Sequence, residues 1–163
     1  MAALTATNPR LVAGPVMETT KLKILSGQSW KAGQFLFHDT SGLLKTCASD
    51  ADSGTGGVKY VALTDQADPG NSTTYAEVGV IHQDHVFEMN ELNGTVSEAN
   101  LGVFYAIDVT SNIVTIDVDD TGNDALVVTE LGYDYNPLQN TSSDTLARVR
   151  VKVIPAAIEA APA

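Results

Sequence analysis

Cysteine is almost absent from this sequence of 163 residues, which contains a single copy, Cys47. One cysteine excludes an internal disulfide and cannot by itself build a zinc site. Cys47 falls in a predicted strand, residues 43–47, and we expect it to be a small buried residue of the core.

Positive charge is also scarce, with nine lysines and arginines against 20 aspartates and glutamates and a formal net charge of −11. A surface of this sign repels phosphate groups, which disfavours nucleic acid and anionic membranes as partners. The same charge favours solubility and selects for partners with basic or apolar surfaces.

Long apolar runs are missing too. No stretch approaches the ~20 residues of a transmembrane helix. Residues 1–9 lack both the basic start and the apolar centre of a signal peptide. We therefore expect a protein that is made in a cytoplasm.

The sequence is instead rich in short strand-like segments. Its hydrophobic fraction of 44% and charged fraction of 18% are typical of a globular chain. Turn signals about 8–12 residues apart indicate an all-β fold, a single compact β-barrel or sandwich-like domain of short antiparallel strands. We place this domain at residues 17–154, with an extended N-terminal arm at 1–16 and a loose Ala/Pro tail at 155–163. Besides two hairpins, the predicted strands are 16–25, 43–47, 58–63, 74–81, 85–89, 113–118, 126–131 and 146–154.

A hairpin pattern at residues 33–44 recurs at residues 101–114. In each copy an alternating apolar strand meets a polar turn and then a second apolar strand. The matching residues are Gly33, Phe35 and Asp39 in the first copy and Gly102, Phe104 and Asp108 in the second. The recurrence predicts a repeated unit, although any two β-hairpins share this general pattern. The rings expected to be mostly buried are those of Phe35, Phe37, Phe87 and Phe104.

Candidate catalytic and metal-binding patterns are weak. His82, His85 and Glu88 are close in sequence, but residues three apart on a strand point to opposite faces. The acidic run 117–122 begins like a calcium loop, but its twelfth position is Val128, where a glutamate is needed. The sequence has no G-x-S-x-G elbow and no P-loop spacing. We expect no enzymatic activity, no bound metal and no cofactor, and we interpret the glycine-rich segment 50–57 as a flexible surface loop.

Two segments are candidates for contact with a partner. In the arm, Pro9 blocks regular structure, and the adjacent Leu11 and Val12 have no local apolar neighbours. In strand 146–154 valines alternate with basic residues, so three of the nine basic residues share one face. That basic face is either solvated or meets carboxylates, on a neighbouring strand or on another subunit. The predicted contact residues are Pro9, Arg10, Leu11, Val12, Arg148, Arg150 and Lys152.

Residues 27–30 (GQSW), residues 32–36 (AGQFL) and the Asp-turn-Leu unit that follows resemble the capsid decoration, or cement, proteins of tailed bacteriophages. The resemblance covers roughly residues 10–90. It implies a non-enzymatic virion protein on the outer capsid surface that bridges neighbouring copies of the major capsid protein. It also implies a homo-oligomer, with a trimer favoured, and it carries over no catalytic residues, because such proteins have none.

The alternative is a β-rich tail, fibre or carbohydrate-binding surface module, and a third hypothesis is an enzyme that clusters His82 and His85 with acids in a cleft. A carbohydrate-binding module needs an exposed aromatic platform. We expect Trp30 to be a plug of the core or its rim rather than part of such a platform. The platform residues would be Trp30, Tyr60, Tyr75, Tyr105, Tyr133 and Tyr135.

Overall fold

The computed structural model describes residues 6–92, 96–135 and 146–163 and confirms the all-β prediction. The described residues form eleven strands: β1 (Arg10–Ala13), β2 (Thr19–Lys23), β3 (Phe35–His38), β4 (Leu44–Thr46), β5 (Tyr60–Ala62), β6 (Tyr75–Val80), β7 (Val86–Leu92), β8 (Phe104–Thr110), β9 (Ile113–Asp117), β10 (Leu126–Leu131) and β11 (Arg148–Val153). Helical segments are short: α1 (Asp50–Gly56), α2 (Gly132–Tyr135), α3 (Pro155–Ile158) and a 3₁₀ turn at Glu98–Asn100. The predicted strand 16–25 is confirmed only over the five residues of β2.

The strands form two sheets, and each sheet closes on itself. The first has the order β2-β6-β5-β3-β4, and a parallel bridge between Ile24 and Leu44 joins its two ends. The second has the order β7-β11-β10-β8-β9, and β7 pairs in parallel with β9 to close it. β1 is an additional strand on β7. We call β2–β6 repeat 1 and β7–β11 repeat 2.

The two repeats have the same topology. In sequence order β2, β3, β4, β5 and β6 correspond to β7, β8, β9, β10 and β11, and each strand pairing of repeat 1 has its counterpart in repeat 2. The parallel closure occurs at the same place in both, between the first and third strands of the unit. The recurrence that the sequence shows at one hairpin therefore extends to a whole five-stranded unit.

The register of the two repeats is also the same. The Gly33 N–H donates to the carbonyl oxygen of Ala62 at 2.8 Å, and the Gly102 N–H donates to that of Val128 at 2.9 Å. Both glycines have positive φ, 88° and 74°, in a conformation that L-residues with a side chain rarely adopt. Phe35 is therefore the counterpart of Phe104, as the sequence alignment of the hairpins predicts.

The turns of the two hairpins differ in length and in how they are held. β8 and β9 are joined by Ser111 and Asn112, whose φ values of 52° and 63° are typical of a two-residue hairpin turn. The β3–β4 turn is longer and is held by the Asp39 carboxylate, which accepts backbone N–H bonds from Ser41 at 2.8 Å and Leu43 at 2.9 Å. Local side chains thus set both turns.

The two repeats share one core but contribute to it unequally. Rings from one face of the β3 hairpin pack with the interior of repeat 2, and the Phe35 and Phe87 rings meet edge to face at 5.5 Å. A second, smaller cluster lies inside repeat 1: Ile24, Trp30, Leu36, Leu44, Ala62 and Val78. Burial of Phe35, Phe37 and Phe87 is confirmed.

The predicted burial of Phe104 is wrong, because 46% of this residue is exposed. Phe104 occupies the same register position as Phe35, on the face of its sheet that points away from the interior of the repeat. Repeat 2 covers that face at Phe35, whereas no described element covers it at Phe104. The pattern of the hairpin is repeated, but the packing around it is not.

The predicted surface loop at residues 50–57 is instead a short helix, α1. The Ser49 hydroxyl accepts the backbone N–H of Asp52 at its first turn. Gly56 is buried against Phe37, so close that a Cβ at position 56 would lie 2.2 Å from the ring. The glycines that suggested flexibility allow the helix to approach the core.

The C-terminal segment is not a loose tail, as the composition predicts, but packs on repeat 1. Pro155 begins the turn of α3, and Ala157 is buried. The Ala157 carbonyl accepts the Val58 N–H at 3.0 Å, and the Lys59 ammonium donates to the Ile158 carbonyl at 2.7 Å. The backbone carbonyls of this Ala-rich segment thus form the hydrogen bonds that its alanine side chains cannot form.

Cys47 is buried, as predicted, and its thiol donates to the Gly57 carbonyl at 3.3 Å. Burial raises the pKa of this thiol, and the Asp52 carboxylate raises it further. Because the thiolate is the reactive form, we expect alkylation of the native protein by iodoacetamide to be slower than that of the urea-unfolded chain by on the order of 100-fold. Mass spectrometry over time measures both rates, and comparable rates would contradict the burial of Cys47.

Candidate interaction surface

The N-terminal arm is an edge strand of its own chain. β1 runs antiparallel to β7, with Arg10 opposite Glu88 and Leu11 opposite Phe87. The expectation of an arm without local partners is therefore corrected for residues 10–13, and the boundary placed at residue 17 does not separate the arm from repeat 2. Residues 1–5 of the predicted arm lie outside the described residues.

The residues before β1 bind the arm to β7 and to the β8–β9 hairpin, close to the parallel pairing of β7 with β9. The Asn8 side-chain oxygen accepts the Val114 N–H at 2.9 Å, and its NH₂ group donates to the Asn112 carbonyl at 3.0 Å. The Thr7 N–H donates to the Asn90 side chain at 2.9 Å. Pro9 is buried, so one of the four predicted arm contacts serves the fold itself.

The basic residues of β11 lie on the face opposite its buried valines, as the alternation predicts. The Arg150 guanidinium lies 2.9 Å from the Glu130 carboxylate of β10. The Arg148 guanidinium lies 3.8 Å from the Glu88 carboxylate of β7. Of the alternatives open at the level of sequence, the structure shows carboxylates on neighbouring strands for these two residues.

Glu88 joins the two predicted contact segments. Its Oε1 lies 3.0 Å from Nη2 of Arg10 in the arm, as well as near Arg148 of β11. The Arg10 side chain is 70% exposed and that of Glu88 only 10% exposed, so a shielded carboxylate sits beneath an accessible guanidinium. We call the face formed by Arg10, Glu88, Glu130, Arg148, Arg150 and Lys152 the arm–β11 surface; Leu11, opposite Phe87, belongs to the other face of the sheet.

A cavity of about 260 Å³ lies beside this surface, between the arm and β7. Its lining is polar and includes Asn8, Arg10, Glu88, Asn90 and Arg148. Tyr135 borders the same face, with its ring 4.2 Å from the Arg150 guanidinium carbon. Burial, followed by the charge of Glu88, raises the pKa of the Tyr135 hydroxyl. Guanidinium groups held by carboxylates are suited to binding the carboxylates and carbonyls of another protein.

One of the two histidines singled out in the sequence, His85, holds the end of the arm. His85 is buried; its Nδ1 accepts the His82 N–H at 2.8 Å, so its Nε2–H donates to the Pro15 carbonyl at 3.0 Å. Among the described residues no group of three or more histidines, cysteines or acids is placed to hold a metal ion. In the acidic turn, the Asp117 carboxylate accepts the Asp119 N–H at 3.0 Å.

Trp30 is 3% exposed and closes the cluster inside repeat 1, so its predicted role as a plug is confirmed. The proposed aromatic platform therefore lacks its tryptophan at the surface. Tyr75 is 58% exposed and Tyr105 is buried. The side chain of Tyr133 lies outside what the structure describes.

The sequence did not identify Glu88 or Glu130 as parts of the arm–β11 surface, or Asn8 as part of the cavity beside it. Glu88 alternates with Phe87 and Met89, which was a signal that it faces outward. Its two arginine neighbours could not be inferred, since they come from strands far apart in sequence.

No protein-family model and no curated protein sequence matches this chain. In the part of the chain that the structure describes, none of the helices combines the length and the apolar character needed to cross a bilayer.

Proposed function

We propose that this chain is a non-enzymatic structural protein of a phage virion. It binds the outer surface of the capsid, after synthesis in the host cytoplasm, and stabilises contacts between major capsid subunits as a homo-oligomer, with a trimer favoured. The resemblance of residues 27–44 to capsid decoration proteins supports this proposal. That segment builds the β3–β4 hairpin, which belongs to the unit that the chain contains twice.

The observation that carries the proposal is the convergence of the two predicted contact segments. Arg10 belongs to β1, and Arg148, Arg150 and Lys152 belong to β11, yet β7 brings them onto one surface. On a chain with a net charge of −11, this arm–β11 surface concentrates four of the nine basic residues. Such a local reversal of charge favours one orientation on an acidic partner.

Capsids of the phage that encodes the chain, prepared without it, provide the direct test. We expect the purified protein to co-sediment with them and the binding to weaken as salt is raised. The informative variant combines Lys152→Glu with the exchange Glu130→Arg and Arg150→Glu, which retains the 2.9 Å ion pair in reversed order. We expect it to remain folded, as judged by circular dichroism, and to lose at least tenfold in capsid affinity.

Lys31→Glu is the matched control. Lys31 is a lysine on repeat 1 whose side chain is 60% exposed, so its reversal changes the net charge as Lys152→Glu does but leaves the arm–β11 surface intact. Capsid binding should be unchanged in this variant. Equal binding by all three proteins, or no binding by the native protein, would contradict the proposal.

A further inference from the structure

The edge of β7 on which β1 pairs in repeat 2 has a counterpart in repeat 1, which is the edge of β2. The Glu91 N–H donates to the Ala147 carbonyl, so alternate residues of β7 bond through their backbone to β11. The residues between them, including Glu88, direct their N–H and C=O groups toward β1. In repeat 1, Ile24 donates to the Thr74 carbonyl and Val80 to that of Glu18. The same alternation turns the N–H and C=O groups of Thr19 and Lys21 away from β6.

This side of β2 has no strand beside it within the described ranges. β6 is the strand that pairs with β2, and β4 approaches at the single bridge of Ile24. Thr19, Lys21 and Lys23 are all exposed. The edge thus presents main-chain donors and acceptors in the geometry that β1 satisfies on β7.

The charge at the centre of the edge is reversed between the repeats. Because the pairings of β2 with β6 and of β7 with β11 superimpose, Lys21 is the counterpart of Glu88. On repeat 2 the strand that occupies the edge places Arg10 opposite Glu88, with their charged groups 3.0 Å apart. A strand added in the same register to the β2 edge of repeat 1 would place one of its residues directly opposite Lys21, as Arg10 lies opposite Glu88.

We propose that the β2 edge binds an extended segment of another protein as an added antiparallel strand, with an aspartate or glutamate facing Lys21. Main-chain hydrogen bonds to Thr19 and Lys21 hold the segment, and the charge pair selects it. The site goes beyond the proposed capsid function and does not depend on it, because the edge and its charge are properties of repeat 1 alone.

Copies of this chain do not suit the site. Two β2 edges paired across a two-fold axis would place Lys21 and Lys23 against the same lysines of the other copy. The β1 strand of a second copy would place Arg10 against Lys21. Both arrangements oppose like charges, so the charge favours an acidic segment from a different protein.

Two synthetic peptides test the proposal with the full-length, isotope-labelled protein. One has the sequence of residues 7–14, and the other carries Arg10→Glu in that sequence. We expect the acidic peptide to shift the amide signals of Thr19 and Lys21 and to bind at least tenfold more tightly than the native-sequence peptide. In the Lys21→Glu variant we expect the preference to reverse.

Lys31→Glu again serves as the control, because it makes the same charge change at an exposed lysine away from β2. It should retain the preference of the native protein. Three outcomes would overturn the proposal: no amide shift on β2 at millimolar peptide, shifts confined to β7, or a preference that Lys21→Glu does not change. A dimer that forms through β2 in the absence of peptide would assign the edge to a second copy instead.

Discussion

Replacement of Phe35 by alanine should lower the free energy of unfolding by about 3–5 kcal/mol, while the same replacement of Phe104 should cost about 1 kcal/mol or less. The two residues occupy equivalent positions of the two repeats, so the local strand context is matched. Phe35 is fully buried against Phe87, and its loss leaves a cavity. Phe104 is 46% exposed, and water takes the place of its ring.

Urea unfolding followed by circular dichroism measures both costs. The pair of variants is its own control, since each removes the same atoms from the same register position. Equal losses would show that the covered and uncovered faces of the two sheets do not differ as described. A large loss at Phe104 alone would reverse the assignment of which repeat covers the other.

Removal of residues 2–14 should lower the melting temperature by roughly 10 °C, which corresponds to about 3–4 kcal/mol for a chain of this size. The sequence predicts an unchanged melting curve, because the arm has no periodicity of its own. In the structure, however, the deletion removes the β1 pairing and both bonds of Asn8 to the β9 hairpin. Each hydrogen bond makes a net contribution of about 0.5–1.5 kcal/mol to the free energy of unfolding, so the deletion costs more than the removal of a frayed end would.

Single substitutions in the arm separate its contributions. Asn8→Ala should cost about 1–3 kcal/mol, because it leaves the Val114 N–H without its acceptor. Arg10→Ala should cost about 0–1 kcal/mol, because the Arg10 side chain is 70% exposed. Differential scanning calorimetry of the three variants gives the comparison, and a melting curve unaffected by the deletion would show that β1 is not held on β7.

The strands were predictable where the pattern of a single strand decides the outcome. β10 has the predicted bounds, and half-buried and buried residues of β11 alternate as its basic residues and valines do. These features depend on residues a few positions apart.

The features that the sequence did not predict depend on distant neighbours. The glycine-rich sequence around Gly56 predicts a flexible loop, but in the fold Gly56 packs against the Phe37 ring. The segment after Pro155 reads as loose, but the Lys59 ammonium and the Val58 N–H bind its carbonyls. Only part of the arm–β11 surface was predictable, for the same reason. The alternation on β11 is local and can be seen in the sequence, whereas the contact between Arg10 and Glu88 joins residues 78 positions apart.

The opposite charges of Lys21 and Glu88 also bear on how the chain finds its fold as it leaves the ribosome. β1 is synthesised before repeat 1 but pairs with β7, which appears only after the whole of repeat 1. Until then the vacant edge of β2 is within reach, because a hairpin that placed Arg10 opposite Lys21 would need only the short loop of residues 14–18. That hairpin would juxtapose two cations, whereas the later pairing brings Arg10 to the Glu88 carboxylate. The sign of one side chain on each edge thus penalises the early, local mispairing and leaves the arm free for β7, which is made after repeat 1.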